Sequence, residues 1–244
     1  MSGQLSSELL KLRTTRTSAL LLAAAAALAV FGACVEGLSR TVTELGRENT
    51  QRTMLSGGTV GVFFATLAGL LAVTSEFRYG TIRPTLLFEP RRERVVAAKV
   101  VAALLGGGAI GLVVEGIALG AGSLILHERG VPFAYTGGGL VHLALGTVAT
   151  AALWCAIGAG LGAIVRHQVG AIIGLLAWLL VAENLLFGLA PSVGRYAPGP
   201  AGQALAGDTG THLVSAGAGA ALLVAYALLL AVAGAAITLR RDVE

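Results

Sequence analysis

Long apolar runs, separated by short polar ones, set the pattern of this chain. A hydrocarbon core of about 30 Å is crossed by about 20 apolar residues in helical form, and six runs reach that length: residues 18–35, 54–73, 95–126, 140–165, 169–190 and 213–239. Helix is required of them, because in lipid each backbone N–H and C=O must be satisfied within its own segment. The fourth and fifth runs are parted only by Arg166, His167 and Gln168, which reads as a tight turn between antiparallel neighbours. The pattern predicts an all-α polytopic membrane protein with six transmembrane helices, residues 1–244 forming a single transmembrane domain.

Composition points the same way. Of 244 residues, 55% are hydrophobic and 12% charged, with a mean hydropathy of +0.81, too little polar surface to coat a soluble globule of this size. Arginine greatly outnumbers lysine, and Ala and Gly dominate; this hints at a GC-rich coding genome and an expected location in a bacterial cytoplasmic membrane.

Lys11, Arg13, Arg16, Arg78, Arg83, Arg91, Arg92, Arg94, Lys99, Arg166, Arg240 and Arg241 fall on one side of the predicted topology. Arg40, Arg47, Arg52, Arg129 and Arg195 fall on the other. Basic residues favour the cytoplasmic side, so both termini are expected inside. The net charge of +4 is then a record of topology, with some attraction to anionic lipid. It implies no nucleic-acid partner.

Before the first run, Leu5, Leu9 and Leu12 recur at helical spacing beside Lys11 and Arg13. Residues 5–16 therefore read as an amphipathic helix lying in the interface, with a frayed polar tail as the plainer alternative. The basic start, the apolar run and the FGAC around Cys34 also resemble a cleaved signal or a poor lipoprotein box. Cleavage would leave five spans, so a retained first span is expected.

Several motifs lose their usual meaning in this setting. Residues 106–111, GGGAIG, match a dinucleotide-binding pattern but sit inside an apolar run with no preceding strand; a close helix contact is expected there. The same is expected of Gly158, Gly162, Gly170 and Gly174, at spacings of four. Cys34 and Cys155 lie at opposite depths and read as buried filler, and the four histidines have no metal-ligand spacing. Lys11 and Lys99 are followed by Leu12 and Val100, so neither belongs to a phosphate-binding loop. No arrangement of Ser, His and acid suggests hydrolysis, and the chain reads as a non-enzyme.

The stretch TSEFRYGTIRPTLLFEPRRERVVAAK, residues 74–99, is different. It concentrates six basic residues around an apolar tetrad. Gly80 suits a left-handed helix end, Thr81 an N-cap, and Pro84 a first helical turn. Glu89, ahead of Pro90, is disfavoured as helical. The stretch therefore predicts helix, break, short helix over 81–88, break, helix. Ile82, Leu86 and Leu87 form one apolar face of an element on the order of 10 Å long, too short to be stable without a docking surface.

These residues carry a resemblance. The run EFRYGTIRPTLLFEPRRERVVAAK resembles the cytoplasmic segment between the second and third spans of ABC-2 type transporter permeases: an acid, an aromatic and a base, then Gly-Thr-Ile, then Pro and Arg before a closing Ala-Lys. Residues 153–186, LWCAIGAGLGAIVRHQVGAIIGLLAWLLVAENLL, resemble the fourth and fifth spans of actinobacterial members, mostly through apolar patterning. The resemblance implies an exporter permease powered by a separate ATPase subunit, which binds the ATP and Mg while this chain carries no cofactor. It implies a second permease chain, in a homodimer or heterodimer. It makes 81–88 the coupling helix, with Thr81, Ile82, Arg83, Leu86, Leu87 and Phe88 touching the ATPase, and 5–16 the elbow helix. Glu76, Arg78 and Arg83 are expected to form ion pairs holding the coupling region to the elbow helix.

A charge in hydrocarbon is costly and usually faces a cavity or a partner. Glu115 and Glu183 follow Lys99 and Arg166 by 16 and 17 residues, about 24–26 Å along a helix. The resemblance implies a pathway between the first, second and fifth spans, which makes Glu183, Asn184 and Phe187 candidate cavity residues, with Thr59, Phe63 and Thr66 opposite. The other reading of Glu183 is structural, bonding a re-entrant outer loop. Glu115 reads as structural. Residues 191–212, rich in Pro and Gly, read as an extracellular loop able to lid the exit.

The expected function is export of a hydrophobic or amphipathic substrate, of drug or antibiotic class, from the cytoplasm or inner leaflet. An ion-gradient-driven secondary transporter and a non-transporting membrane anchor are the alternatives. The first is disfavoured because no proline interrupts a span.

Overall fold

The computed structural model describes residues 2–80, 92–135, 137–208, 210 and 212–240. The described residues form helices and connecting turns without a strand, and six helices are long and apolar enough to cross a membrane. The chain is a multi-pass, all-α membrane protein. The segment expected to hold the coupling helix, 81–88, lies outside the described residues.

A helix over Ser2–Thr14 precedes the first span, Arg16–Ser39, with a break at Thr15 in extended conformation. The second span is in two pieces, Glu48–Leu55 and Gly58–Arg78, parted at Ser56 and Gly57. The third, Arg92–Glu128, and the fourth, Gly137–Val165, are unbroken helices. The fifth runs from Gln168 to Leu189 and contains a wide π turn over Trp178–Ala182. The sixth is Ala216–Arg240.

The second and fourth spans form the centre: 56% of the apolar window of each is buried, against 11–17% for the first, fifth and sixth. Lipid is as apolar as leucine, so helices in it associate through close packing rather than through hydrophobic burial, and small residues let backbones approach. A Cβ on Gly69 would run into the Cys155 carbonyl, and one on Gly158 into the Thr66 carbonyl. Gly107 and Gly111, from the GGGAIG run, press the third span onto Cys155 and Ala151 in the same way. The hydroxyls of Thr66 and Thr74 donate to the carbonyls of Val62 and Leu70 at 2.6 and 2.9 Å, which satisfies them where no water is at hand.

Gly170 and Gly174 depart from the expected helix contact. A Cβ on Gly174 would meet nothing within 4 Å, and one on Gly170 would meet chiefly the His167 ring at 3.3 Å. Both lie on the outward side of the fifth span, because its inward side is taken by Ala171 and Leu175 packing on Leu70.

The turn between the fourth and fifth spans is only two residues long. Arg166 takes a left-handed conformation (φ 59°), its guanidinium donating to the Ile237 carbonyl at 3.0 Å and lying 5.1 Å from the Phe77 ring centre. His167 caps the fifth span by accepting from the Gly170 N–H at 3.1 Å. These bonds, with Arg78 to Gln168, bring ends of the second, fourth, fifth and sixth spans together at one end of the bundle.

The other end is held by polar staples. Buried Gln51 donates to the Leu45 and Pro132 carbonyls at 3.0 and 2.8 Å and accepts from the Ala134 N–H at 2.8 Å. Arg129 donates to the Gly37 and Arg40 carbonyls at the end of the first span.

The described part of 191–212 is more than a surface loop. It contains two short helices, Pro191–Gly194 and Pro198–Leu205. In the second, Pro198, Pro200, Ala201, Gly202 and Ala204 are buried, against Thr150 and Trp154 of the fourth span and Gly219 of the sixth. Trp154 precedes Arg166 by 12 residues, about 18 Å of helix, so this helix dips to hydrocarbon depth. Such a re-entrant segment is tolerated only where protein covers its backbone, and its proline and glycine content keeps it thin enough to fit.

Candidate functional site

Two polar assemblies stand out in this apolar bundle. The first lies at the end where the N-terminal helix sits. Glu76, near the end of the second span, is buried and meets Lys99 of the third span at 2.6 Å and Lys11 of the N-terminal helix at 3.0 Å, both through Oε1. Lys99 also pairs with Glu8 at 3.1 Å, and Glu8 with Lys11 at 2.8 Å. Two acids and two bases thus close a ring joining three helices.

Charge balance makes this burial affordable. Burial alone would raise the Glu8 carboxyl, but Lys99 and Lys11 together hold it below its ordinary value. Burial likewise works to lower Lys11, yet its hydrogen bonds to Glu8 and Glu76 leave it raised. Each shift favours the charged form. The ring ties the N-terminal helix to the two helices that flank residues 81–91.

The second assembly lies in the far half of the bundle, where two acids each cap a helix start. Glu115 Oε2 accepts from the Gly57 N–H at 2.8 Å, at the head of the second span's longer piece. Glu183 Oε1 accepts from the Gly199 N–H at the head of the re-entrant helix. The first helical N–H groups have no intrahelical partner, so a carboxyl oxygen at hydrocarbon depth supplies the missing acceptor. Glu183 is therefore engaged with the re-entrant segment, the second of the two roles considered for it.

The expected site residues divide between these regions. Glu76 joins the first assembly. Arg78 points outward, donating to Gln168 Oε1 at 3.1 Å and lying 5.6 Å from the Tyr79 ring centre, so it stands apart from the N-terminal helix. Thr81, Ile82, Arg83, Leu86, Leu87 and Phe88 lie outside the described residues.

The expected cavity residues do not converge. Thr59 is exposed, while Phe63 is half-buried and meets Phe64 edge to face at 5.4 Å, beside Ala25 and Ala29 of the first span. Thr66 is buried against Gly158 of the fourth span rather than facing the fifth. Asn184 donates to the Leu179 and Leu180 carbonyls at 3.0 and 3.2 Å, satisfying backbone groups that the π turn loosens. Phe187 backs onto Gly194.

Sequence reasoning passed over Glu8, which precedes Lys11 by one helical turn, and it gave Lys11 and Lys99 no ion-pair role. That these are the chain's two lysines among 15 arginines was a usable signal. It also ran the second span through Ser56 and Gly57, where the dipeptide Gly57-Gly58 marks the break. No protein-family model matches this chain, and no curated protein matches it.

Proposed function

We propose that this chain is the permease subunit of an ATP-driven exporter, with both termini in the cytoplasm of a bacterial cell and its N-terminal helix lying as an elbow in the inner interface. The observation that carries the reading is the ring of Glu8, Lys11, Glu76 and Lys99. It links the elbow to both helices flanking residues 81–91, whose proline-bounded apolar pattern suits docking on a partner. A push delivered to that segment by an ATPase subunit would pass into the second and third spans as one unit, a rigid-body mode of switching.

In this reading the partner binds ATP and Mg, a second permease chain completes the pathway, and the cargo is a hydrophobic or amphipathic small molecule. The test is reconstitution with a candidate ATPase in proteoliposomes. Uptake of an amphipathic dye should require ATP hydrolysis and be lost in the variant carrying Leu86→Asp and Leu87→Asp, together with co-purification of the ATPase.

One observation favours a second reading, an ion-gradient-driven transporter. The second span is interrupted at Ser56 and Gly57 without any proline, beside the intramembrane acid Glu115. Interrupted helices hold substrate and ions in such proteins, there near the midplane, whereas this break stands about 33 Å along the helix from Arg78. Transport driven by an ion gradient in liposomes lacking any ATPase would establish this reading and overturn the first.

A further inference from the structure

The joint in the second span has buried side-chain oxygens beside it that its structural role leaves unpartnered. Glu115 is 2% exposed and uses one carboxyl oxygen to accept from Gly57. Its other oxygen, Oε1, has no hydrogen-bond partner among the described residues. On the opposite side of the same joint, Thr147 of the fourth span is 1% exposed, and its Oγ1 also has no partner among them. Thr147 Oγ1 lies 3.8 Å from where a Cβ on Gly58 would stand, and the Val114 carbonyl lies 2.9 Å from where one on Gly57 would stand. Ser56 Oγ completes the surroundings by accepting from the Gly58 N–H at 3.1 Å.

Two orphaned oxygens nine-tenths or more buried at one helix break are an uncommon cost, since each loses its hydration without replacement. The charges on neighbouring elements do not compensate. Glu36 of the first span pairs with Arg40. On the shorter piece of the second span, Glu48 accepts from the Tyr135 hydroxyl through its backbone carbonyl, and Arg52 donates to the Ala206 and Gly207 carbonyls and lies 3.9 Å from Asp208. His142 of the fourth span stands beside Gly207, and Cys155 is buried further along the same helix. The longer piece of the second span carries its charges, Glu76 and Arg78, at its other end. None of these groups bonds to the Glu115 carboxylate, and no ion pair among the described residues includes it.

We infer that the Glu115 carboxyl at this joint forms a proton-binding site. One aqueous proton adds to Oε1, and the carboxylate becomes the neutral acid. Protonation removes an uncompensated charge from a buried group, and Oε2 continues to accept from Gly57. The site stands independently of which energy source drives the chain.

Infrared difference spectroscopy of the full chain in lipid bilayers tests it directly. The expected result is a carboxylic-acid C=O band at neutral pH that is lost on alkaline titration, missing in Glu115→Gln, and indifferent to Na+ at fixed pH. A second variant, Glu183→Gln, should keep the band, so the assignment survives even if Glu115→Gln fails to insert. The inference is overturned by spectra of wild type and Glu115→Gln that match in the acid region at every pH. Disappearance of the band in Glu183→Gln, or its removal by Na+ at constant pH, overturns it equally.

Discussion

Lys99 Nζ lies 2.6 Å from Glu76 Oε1, joining the second and third spans at the point where residues 81–91 connect them. The side chains are 12% and 6% exposed, whereas Lys11, which also reaches Glu76, is 45% exposed. Removing one partner of a buried pair strands the other charge, a loss of about 3 kcal/mol or more, while an exposed pair contributes about 1 kcal/mol or less. Glu76→Gln should therefore destabilise the protein several-fold more than Lys11→Ala. Equilibrium unfolding in mixed micelles checks this, and equal losses would count against the ring as a unit.

The same ring sets a pH window for docking of the N-terminal helix. Glu8 is lowered, so its contribution is complete above the ordinary glutamate value of about 4.3 and is lost as pH falls through its depressed value. Lys11 is raised, so its contribution is complete below the ordinary lysine value of about 10.4 and is lost as pH rises through its elevated value. Protection of residues 2–14 from protease should be flat between those limits and fall outside them. A transition near pH 7 would contradict the arrangement.

Packing at the centre gives a sharp contrast between two glycines of similar sequence context. Gly158 faces the Thr66 carbonyl, and Gly174 faces open space. Gly158→Leu must push backbones apart and should abolish folded protein, as judged by detergent-resistant monodispersity. Gly174→Leu should leave the monomer's stability within about 1 kcal/mol of wild type.

Glu183 should hold the re-entrant helix in place. Glu183→Ala leaves the Gly199 N–H without its acceptor, at a cost of about 1–3 kcal/mol. In a background lacking Cys34 and Cys155, a cysteine replacing buried Ala204 should gain reactivity toward an aqueous thiol reagent only when Glu183 is also replaced. Unchanged reactivity would show that the helix is held by other contacts.

Much of the fold was legible in the chain because apolar run length is a local property. The six spans follow from it, as does the two-residue turn at Arg166 and His167, where there was no room for anything longer. The interruption at Ser56 and Gly57 was less visible, since both residues lie inside an apolar run and the partner that makes the break stable, Glu115, is 58 positions away. The re-entrant helix was hidden by its composition: Pro198, Gly199 and Pro200 read as a surface loop until Thr150, Trp154 and Gly219 are found around them.

By itself, the sequence determined that this is a multi-pass membrane protein of helices, with six apolar runs long enough to cross. Each of these depends on the preference of a residue, or of a run of residues, for lipid or water. Tertiary structure alone decided that Glu8, Lys11, Glu76 and Lys99 close a ring, that Glu115 and Glu183 each head a helix, and that Thr66 and Asn184 are used for internal bonds. Those outcomes depend on which helices touch and in what rotation, and in lipid that is settled by the fit of small residues such as Gly69, Gly158 and Gly107 against opposing backbones, a property of pairs that no single run of sequence contains.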